Sequence, residues 1–208
     1  MSARHLLEQN RAWVKERVER DPDYFRRQAG RHKPHTLFIG CSDARVPSDR
    51  ITGSDVGEMF VHRNIANQVV ATDNNLQAVV QYAVEVLEVR DIVVCGHEQC
   101  GGVNAAIANK APSHVAGWLA QVRTVARLHE QELASITDLS SLCMRLVDLN
   151  VREQVNNLSR FHVIQSAWSA GRELTLHGWV YGITDGLLRD LAVNADGSRT
   201  SALTKKAG

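Results

Sequence analysis

Two short apolar segments that end in glycine constrain the fold of this chain most. Residues 36–40 (TLFIG) and 91–96 (DIVVCG) have the length and apolar content of buried strands, and residues 74–89 between them alternate at helical period. Strand, helix and strand in this order are typical of a parallel sheet covered by helices. We therefore predict an α/β fold with a mainly parallel β-sheet flanked by helices.

The rest of the chain supplies further elements around this unit. Apolar residues at helical spacing in 3–27 predict one or two amphipathic helices, so we interpret residues 1–30 as an amino-terminal helical arm. The other predictions are strands at 58–62 and 173–181, long helices at 113–130 and 138–158, a strand or helix at 187–193, and a loose tail at 195–208. We interpret residues 1–208 as a single domain.

Composition excludes several classes of partner. Lys and Arg number 24 against 23 acidic residues, so no strong field favours nucleic acid or an anionic membrane. No apolar run approaches the roughly 18 residues of a membrane span, and the charged start does not resemble a signal peptide. We therefore expect a cytoplasmic protein. Its 4 cysteines are too few for a disulfide scaffold, which favours metal binding.

Metal-ligand residues follow the two predicted strands directly. Cys41 begins the motif CSDAR, and His97 begins HEQCGG, which also contains Cys100. The carboxyl ends of parallel strands lie at one edge of a sheet, where ligands of such folds bind. Two thiols and an imidazole suit zinc and leave its fourth position open for a water molecule that becomes nucleophilic near neutral pH. We predict one zinc ion per chain at this edge.

Asp43 and Arg45 lie close enough to the first ligand to act on that water. Asp43 can accept a hydrogen bond from it and so orient its lone pair, and the charge of Arg45 should keep Asp43 ionised. Gly101 and Gly102 follow the last ligand and allow close backbone approach at the start of a helix, where a substrate pocket is expected.

The chain resembles the bacterial, zinc-dependent β-class carbonic anhydrases. The resemblance rests on the motifs CSDAR (41–45), FVHRNIAN (60–67) and CGHEQCGGV (95–103), and continues weakly through SAW (166–168), HGWVYG (177–182) and DGLLRDL (185–191). It implies reversible hydration of carbon dioxide to bicarbonate and a proton. It also implies an α/β fold that forms dimers or tetramers, zinc ligands at Cys41, His97 and Cys100, and an Asp43–Arg45 dyad.

Two regulatory features follow from the same resemblance. In some members the dyad aspartate swings onto the metal at lower pH, so Asp43 becomes the fourth ligand in a closed, inactive form. Those members also have a non-catalytic bicarbonate site, whose arginine and tyrosine fall on Arg63 and Tyr181. Its tryptophan falls on Phe38, which lacks the indole N–H donor. A further departure is Ala44, where the family usually has serine.

Other interpretations stay open at this point. Relatives with the same ligands hydrolyse carbon disulfide or carbonyl sulfide, and a non-catalytic zinc or bicarbonate-binding module would use a similar site. Cys95 could compete as a ligand, but its place inside an apolar strand favours a core position. The apolar face of the amino-terminal helices favours a partner subunit, so we expect a homodimer or tetramer.

Overall fold

The computed structural model describes residues 2–30 and 32–198, and the chain divides into two compact units, residues 1–33 and 34–208. The first unit contains two helices, α1 (Ala3–Arg20) and α2 (Tyr24–Ala29). The side chain of Ser2 accepts a hydrogen bond from the backbone N–H of His5 and caps α1. The helices predicted for the amino-terminal arm are thus confirmed.

The second unit is built on a five-stranded sheet in the order β2-β1-β3-β4-β5. Its strands are β1 (Thr36–Cys41), β2 (Met59–Asn64), β3 (Asp91–His97), β4 (Thr175–Tyr181) and β5 (Leu188–Asp190). The first four are parallel, and β5 pairs antiparallel with β4. This confirms the predicted α/β fold with a mainly parallel sheet.

Eight helices of the described residues belong to the second unit. They are α3 (Ser48–Thr52), α4 (Asn74–Gln81), α5 (Gly101–Ala108), α6 (Ser113–Trp118), α7 (Ala120–Leu128), α8 (Glu130–Ala134), α9 (Leu139–Ser159) and α10 (His162–Ser169). Asp73 caps α4 and Asp138 caps α9 through side-chain hydrogen bonds to backbone N–H groups, as Asp and Asn commonly do.

Two helix predictions need correction. The α-helical bonding predicted for 74–89 ends at Gln81, and the chain continues as a π-helical turn over Tyr82–Val86. The helix predicted for 113–130 is divided into α6, α7 and α8. Leu119 (ψ 3°) and His129 (φ −114°, ψ 24°) leave helical geometry at the two breaks, where the sequence contains no proline.

The main core lies between one face of the sheet and its helices. Helix α9 contributes ten buried residues and lies close against β3, since a Cβ on Gly96 would be 2.6 Å from Cγ2 of Val151. The opposite face carries a smaller cluster of Phe38, Val93 and Cys95. The sheet is therefore packed on both faces beneath the carboxyl ends of β1 and β3, where the candidate site residues lie.

The carboxyl-terminal segment differs in part from its prediction. The strand or helix predicted for 187–193 is the short strand β5, and Ala195 is fully buried and pairs with Leu176. A loose segment therefore does not begin at residue 195 as predicted, and residues 199–208 lie outside the described residues. Within the described part of the chain, every helix is too short or too polar to cross a membrane.

Candidate metal centre

Three buried ligand residues meet at the edge of the sheet. Cys41 is the last residue of β1, His97 is the last residue of the neighbouring β3, and Cys100 is the residue that precedes α5. One ligand atom from each lies within 4.8 Å of the other two. The structure thus brings together the three residues that the sequence predicts as zinc ligands.

His97 presents one nitrogen to this cluster. Its Nδ1 lies 2.8 Å from the carbonyl oxygen of Glu98 and donates to it, which leaves Nε2 unprotonated in the neutral ring. Nε2 is buried and has no hydrogen-bond partner among the residues that the structure describes. A buried nitrogen without a partner beside two sulfur atoms fits a metal ligand, since carbonyl-bonded histidines are typical of metal sites.

The two thiols influence each other's ionisation. The pKa of Cys41 is lowered to about 4, mainly by the hydrogen bond from the Cys100 thiol and further by His97 and the backbone N–H groups of Asp43 and Ala66. The same hydrogen bond raises the pKa of Cys100. Two thiolates at this separation repel each other, and a divalent cation bound beside them would compensate their negative charges. The donor set of two sulfurs and one nitrogen therefore fits zinc.

Asp43 and Arg45 form a bidentate pair beside the ligands. Arg45 donates from Nε to Oδ1 of Asp43 (3.0 Å) and from Nη2 to Oδ2 (2.7 Å), and its backbone N–H donates to Oδ1 (2.9 Å). These bonds hold the pKa of Asp43 well below its usual range. Oδ2 lies 3.8 Å from Nε2 of His97. An ionised carboxylate is thus held next to the candidate metal position.

A family model described as carbonic anhydrase matches residues 36–188. The chain belongs to the carbonic anhydrase family. It is 44% identical to a carbonic anhydrase of Emericella nidulans over 92% of this chain and 84% of that relative. It is 40% identical to a carbonic anhydrase of Pseudomonas aeruginosa over 78% of this chain and 75% of the relative. Because fungal and bacterial relatives both match, the expectation of a specifically bacterial member is not supported.

Solved structures identify the class within this family. A β-carbonic anhydrase of Sordaria macrospora, described as tetrameric, has a TM-score of 0.89 and 38% identity, covering 92% of this chain and 98% of that one. A Coccomyxa β-carbonic anhydrase in complex with acetazolamide has a TM-score of 0.86 and 31% identity, covering 98% and 97%. The chain is a β-class carbonic anhydrase enzyme.

Arg63 of this carbonic anhydrase supports the backbone of the site. Its Nε donates to the carbonyl oxygen of Cys41 (2.8 Å), and its Nη2 donates to that of Asp43 (2.6 Å). Tyr181 lies on β4, which β1 and β3 separate from the strand of Arg63. Phe38 and Tyr181 both belong to the small apolar cluster on one sheet face. The bicarbonate site predicted at Arg63 and Tyr181 stays a prediction.

The two glycines after Cys100 differ in their surroundings. A Cβ on Gly102 would lie 2.9 Å from Cγ2 of Ile65 and 3.1 Å from Cβ of Ala66, so glycine is needed for the start of α5 to approach the turn over Ile65–Asn67. A Cβ on Gly101 would meet no described atom within 4 Å. Open space beside Gly101 is consistent with the predicted pocket, whereas Gly102 serves packing.

Cys95 lies in the core, as predicted, and outside the ligand cluster. It is fully buried with Phe38 and Val93, and burial raises the pKa of its thiol to about 12. The group of three ligand residues does not include it.

The support of Cys41 by the turn that follows β2 was not predicted from the sequence. The backbone N–H of Ala66 donates to Sγ of Cys41 (3.4 Å), and the buried amides of Gln68, Asn150 and Gln154 bond around this turn. One signal was available, because Asn150 and Gln154 are polar residues one turn apart on the face of the predicted helix that also carries Leu146, Val147 and Val151. The left-handed conformation of Ala66, in contrast, cannot be recognised from the sequence.

Proposed function

We propose that this carbonic anhydrase catalyses the reversible hydration of carbon dioxide to bicarbonate and a proton, with one zinc ion held by Cys41, His97 and Cys100. The observation that carries the proposal is the cluster itself, with three buried ligand atoms within 4.8 Å and Nε2 of His97 unpaired among the described residues. When bound, zinc supplies a Lewis acid that makes a water molecule nucleophilic near neutral pH.

Asp43 orients the attacking water in this proposal. An ionised carboxylate can only accept hydrogen bonds, so a water hydrogen points at Asp43 and the oxygen lone pair is free for carbon dioxide. Arg45 keeps the carboxylate ionised and fixes its plane through two side-chain bonds. Arg63 holds the carbonyl groups of Cys41 and Asp43, so one side chain connects the ligand to the acceptor.

Asp43 also has a second role in the proposal, as the fourth metal ligand of a closed form. Its Oδ2 is already 3.8 Å from Nε2 of His97, so release from Arg45 would let the carboxylate reach the metal position. With zinc bound, Asp43 would compete there with solvent, and the carboxylate would be favoured at lower pH because neutral water is a weaker ligand than hydroxide. Activity should therefore rise steeply from neutral to alkaline pH, and a flat profile between about pH 6.5 and about pH 9 would contradict closure.

The reaction is tested by stopped-flow measurement of carbon dioxide hydration with zinc-loaded protein, run beside assays with carbonyl sulfide and carbon disulfide. We expect turnover of carbon dioxide far above the other two substrates. Faster hydrolysis of either sulfur compound would assign the chain to the hydrolase alternative. No rate above buffer at about pH 8.5, where the site should be open, would favour the non-catalytic zinc or bicarbonate-binding module.

Assembly and regulation are further parts of the proposal. The Sordaria macrospora structure is described as tetrameric, which supports a homo-oligomer for this chain, either a dimer or a tetramer. Light scattering of the purified protein measures this, and a monomer would contradict it. We also propose that Arg63 and Tyr181 take part in a weakened bicarbonate site, and that the enzyme acts in the cytoplasm.

A further inference from the structure

The turn after β2 has a conformation that residues with a Cβ rarely adopt. Ala66 (φ 62°, ψ 31°) and Asn67 (φ 46°) are successive residues in the left-handed region. The Cβ atom makes this region unfavourable, so something around the turn must stabilise it. The conformation has one consequence for the site, because the N–H of Ala66 donates to Sγ of Cys41 at 3.4 Å.

Buried amide side chains hold this turn. The carbonyl oxygen of Ala66 accepts from Nε2 of Gln68 (2.6 Å) and Nδ2 of Asn150 (3.1 Å). Oδ1 of Asn150 accepts from Gln68 (2.9 Å) and from Nε2 of Gln154 (3.0 Å). Oε1 of Gln154 accepts from the backbone N–H of Val69 (2.8 Å). The amides of α9 therefore bond to Ala66 within the turn and to Val69 just after it.

The position of this network indicates a purpose beyond stability. Asn150 is 1% exposed and Gln154 is 0% exposed, and both stand on the face of α9 that otherwise buries apolar residues. Burying an amide costs free energy unless its hydrogen bonds are made, so an apolar pair would serve packing as well. What apolar side chains cannot do is hydrogen-bond the carbonyl of Ala66. This carbonyl is linked to the N–H of the same residue through φ and ψ, so holding it helps to hold Ala66 in the left-handed conformation that directs its N–H to Cys41.

We propose that Asn150, supported by Gln154, is a positioning residue for the metal centre. It holds Ala66 in the left-handed conformation and so keeps the Ala66 N–H bonded to the sulfur of Cys41. This bond withdraws charge from the thiolate and fixes the direction of its lone pairs. Changes in such outer partners typically alter metal affinity by about 10- to 100-fold. The inference rests on the zinc site of the proposed function and does not depend on the reaction.

The test is cobalt(II) and zinc binding by full-length variants. We expect Asn150→Ala to shift the thiolate-to-cobalt charge-transfer band and to weaken zinc binding, measured by chelator competition, by about 10- to 100-fold. Leu158→Ala is the control, because Leu158 is fully buried on the same helix and outside the hydrogen-bond network. It should lower thermal stability while leaving the band and the affinity at the wild-type values.

A second substitution tests the proposed cause. Glycine adopts the left-handed region without the Cβ penalty, so Ala66→Gly in the Asn150→Ala background should recover part of the lost affinity and return the band toward its wild-type position. Should Asn150→Ala not fold, Gln154→Met, one hydrogen bond further from Ala66, should shift the same band by a smaller amount.

Three results would overturn the inference. The first is a wild-type charge-transfer band and zinc affinity in Asn150→Ala or, if that variant does not fold, in Gln154→Met. The second is a change of equal size in Leu158→Ala, and the third is no recovery when Ala66→Gly is added to Asn150→Ala. The failure of the proposed zinc site is a separate result, since wild-type protein would then bind no metal through its thiols, and the failure of the reaction would show as metal-loaded protein without turnover.

Discussion

Cys41 and Cys95 show how two buried cysteines of one sheet differ in chemistry. Cys41 ends β1 and Cys95 lies in β3, two residues before His97, and both are buried. The pKa of Cys41 is lowered to about 4, whereas that of Cys95 is raised to about 12. Burial is common to both, so burial alone does not make a metal ligand.

The pKa values of the two thiols differ because their hydrogen-bond partners differ. Cys41 accepts hydrogen bonds from the Cys100 thiol and from backbone N–H groups, and these bonds favour the thiolate. Cys95 is governed by desolvation, which favours the neutral thiol, and it donates to the carbonyl of Gly96 at 3.3 Å. The carboxyl edge of the sheet thus supplies polar groups that the interior of the sheet lacks. A cysteine at this edge, Cys41, can therefore act as a metal ligand, whereas Cys95 in the interior serves the core.

The largest effect is expected from replacing the ligand. Cys41→Ser should lower zinc occupancy and carbon dioxide hydration by more than about 100-fold, because a hydroxyl does not replace a thiolate as a zinc donor. Cys95→Ser is the matched substitution in the core and should retain full zinc content, since the new hydroxyl can donate to the carbonyl of Gly96. Metal analysis and stopped-flow rates measure both. Loss of zinc from the Cys95 variant would break the contrast.

Removing the carboxylate of the dyad should have the next largest effect. Asp43→Asn should lower kcat by about 100-fold or more while zinc content is retained, because the neutral amide also offers a donor and cannot impose one water orientation. Asp148→Asn is the control, since Asp148 forms a similar bidentate pair with Arg189 (2.8 and 3.2 Å). Its rate should be unchanged. Equal losses of kcat in the two variants would show that breaking any such ion pair lowers the rate, and that Asp43 has no specific role.

Thiol labelling compares the two cysteines directly. Alkylation requires the thiolate, so a thiol with a pKa of about 12 stays neutral and inert up to about pH 9, and Cys95 should remain unlabelled. In zinc-stripped protein Cys41 is already thiolate at neutral pH and should react first. Mass spectrometry of peptides after iodoacetamide treatment locates the label. Faster labelling of Cys95 than of Cys41 at neutral pH would contradict the assignment.

The smallest effect is expected at Ala44, an exposed residue between the dyad members. A serine hydroxyl here adds at most one neutral hydrogen bond, worth about 1 kcal/mol, so Ala44→Ser should change kcat by less than about fivefold. The pH profile is the second readout, since a hydroxyl beside Asp43 could alter its release from Arg45. A tenfold change in rate would show that the departure at this position determines activity.

Much of the fold and of the ligand set could be predicted because the signals are local. Apolar runs ending at Gly40 and Gly96 locate β1 and β3, and the residues that follow each run lie at one edge whatever the rest of the chain does. The caps at Asp73 and Asp138 are local signals as well.

The contacts that support the site could not be predicted, because they join residues far apart in the chain, even though the polar pair Asn150 and Gln154 is visible in the sequence. Asn150 is 84 residues from Ala66, and only the packed structure brings its amide to that carbonyl. The left-handed geometry of Ala66 has no glycine to signal it. The division of the 113–130 segment likewise occurs at Leu119 and His129, neither of which is a helix breaker by type.

X-ray absorption at the zinc edge measures the proposed ligand set itself, because it counts the sulfur atoms and the nitrogen or oxygen atoms around the metal in purified protein. We expect one zinc per chain with two sulfur atoms at about 2.3 Å and lighter ligands at about 2.0–2.2 Å. Substitution of Cys41 or Cys100 should remove sulfur from this shell, and substitution of Cys95 should not. Metal-free protein, a shell without sulfur, or a shell of three or four sulfurs would contradict it.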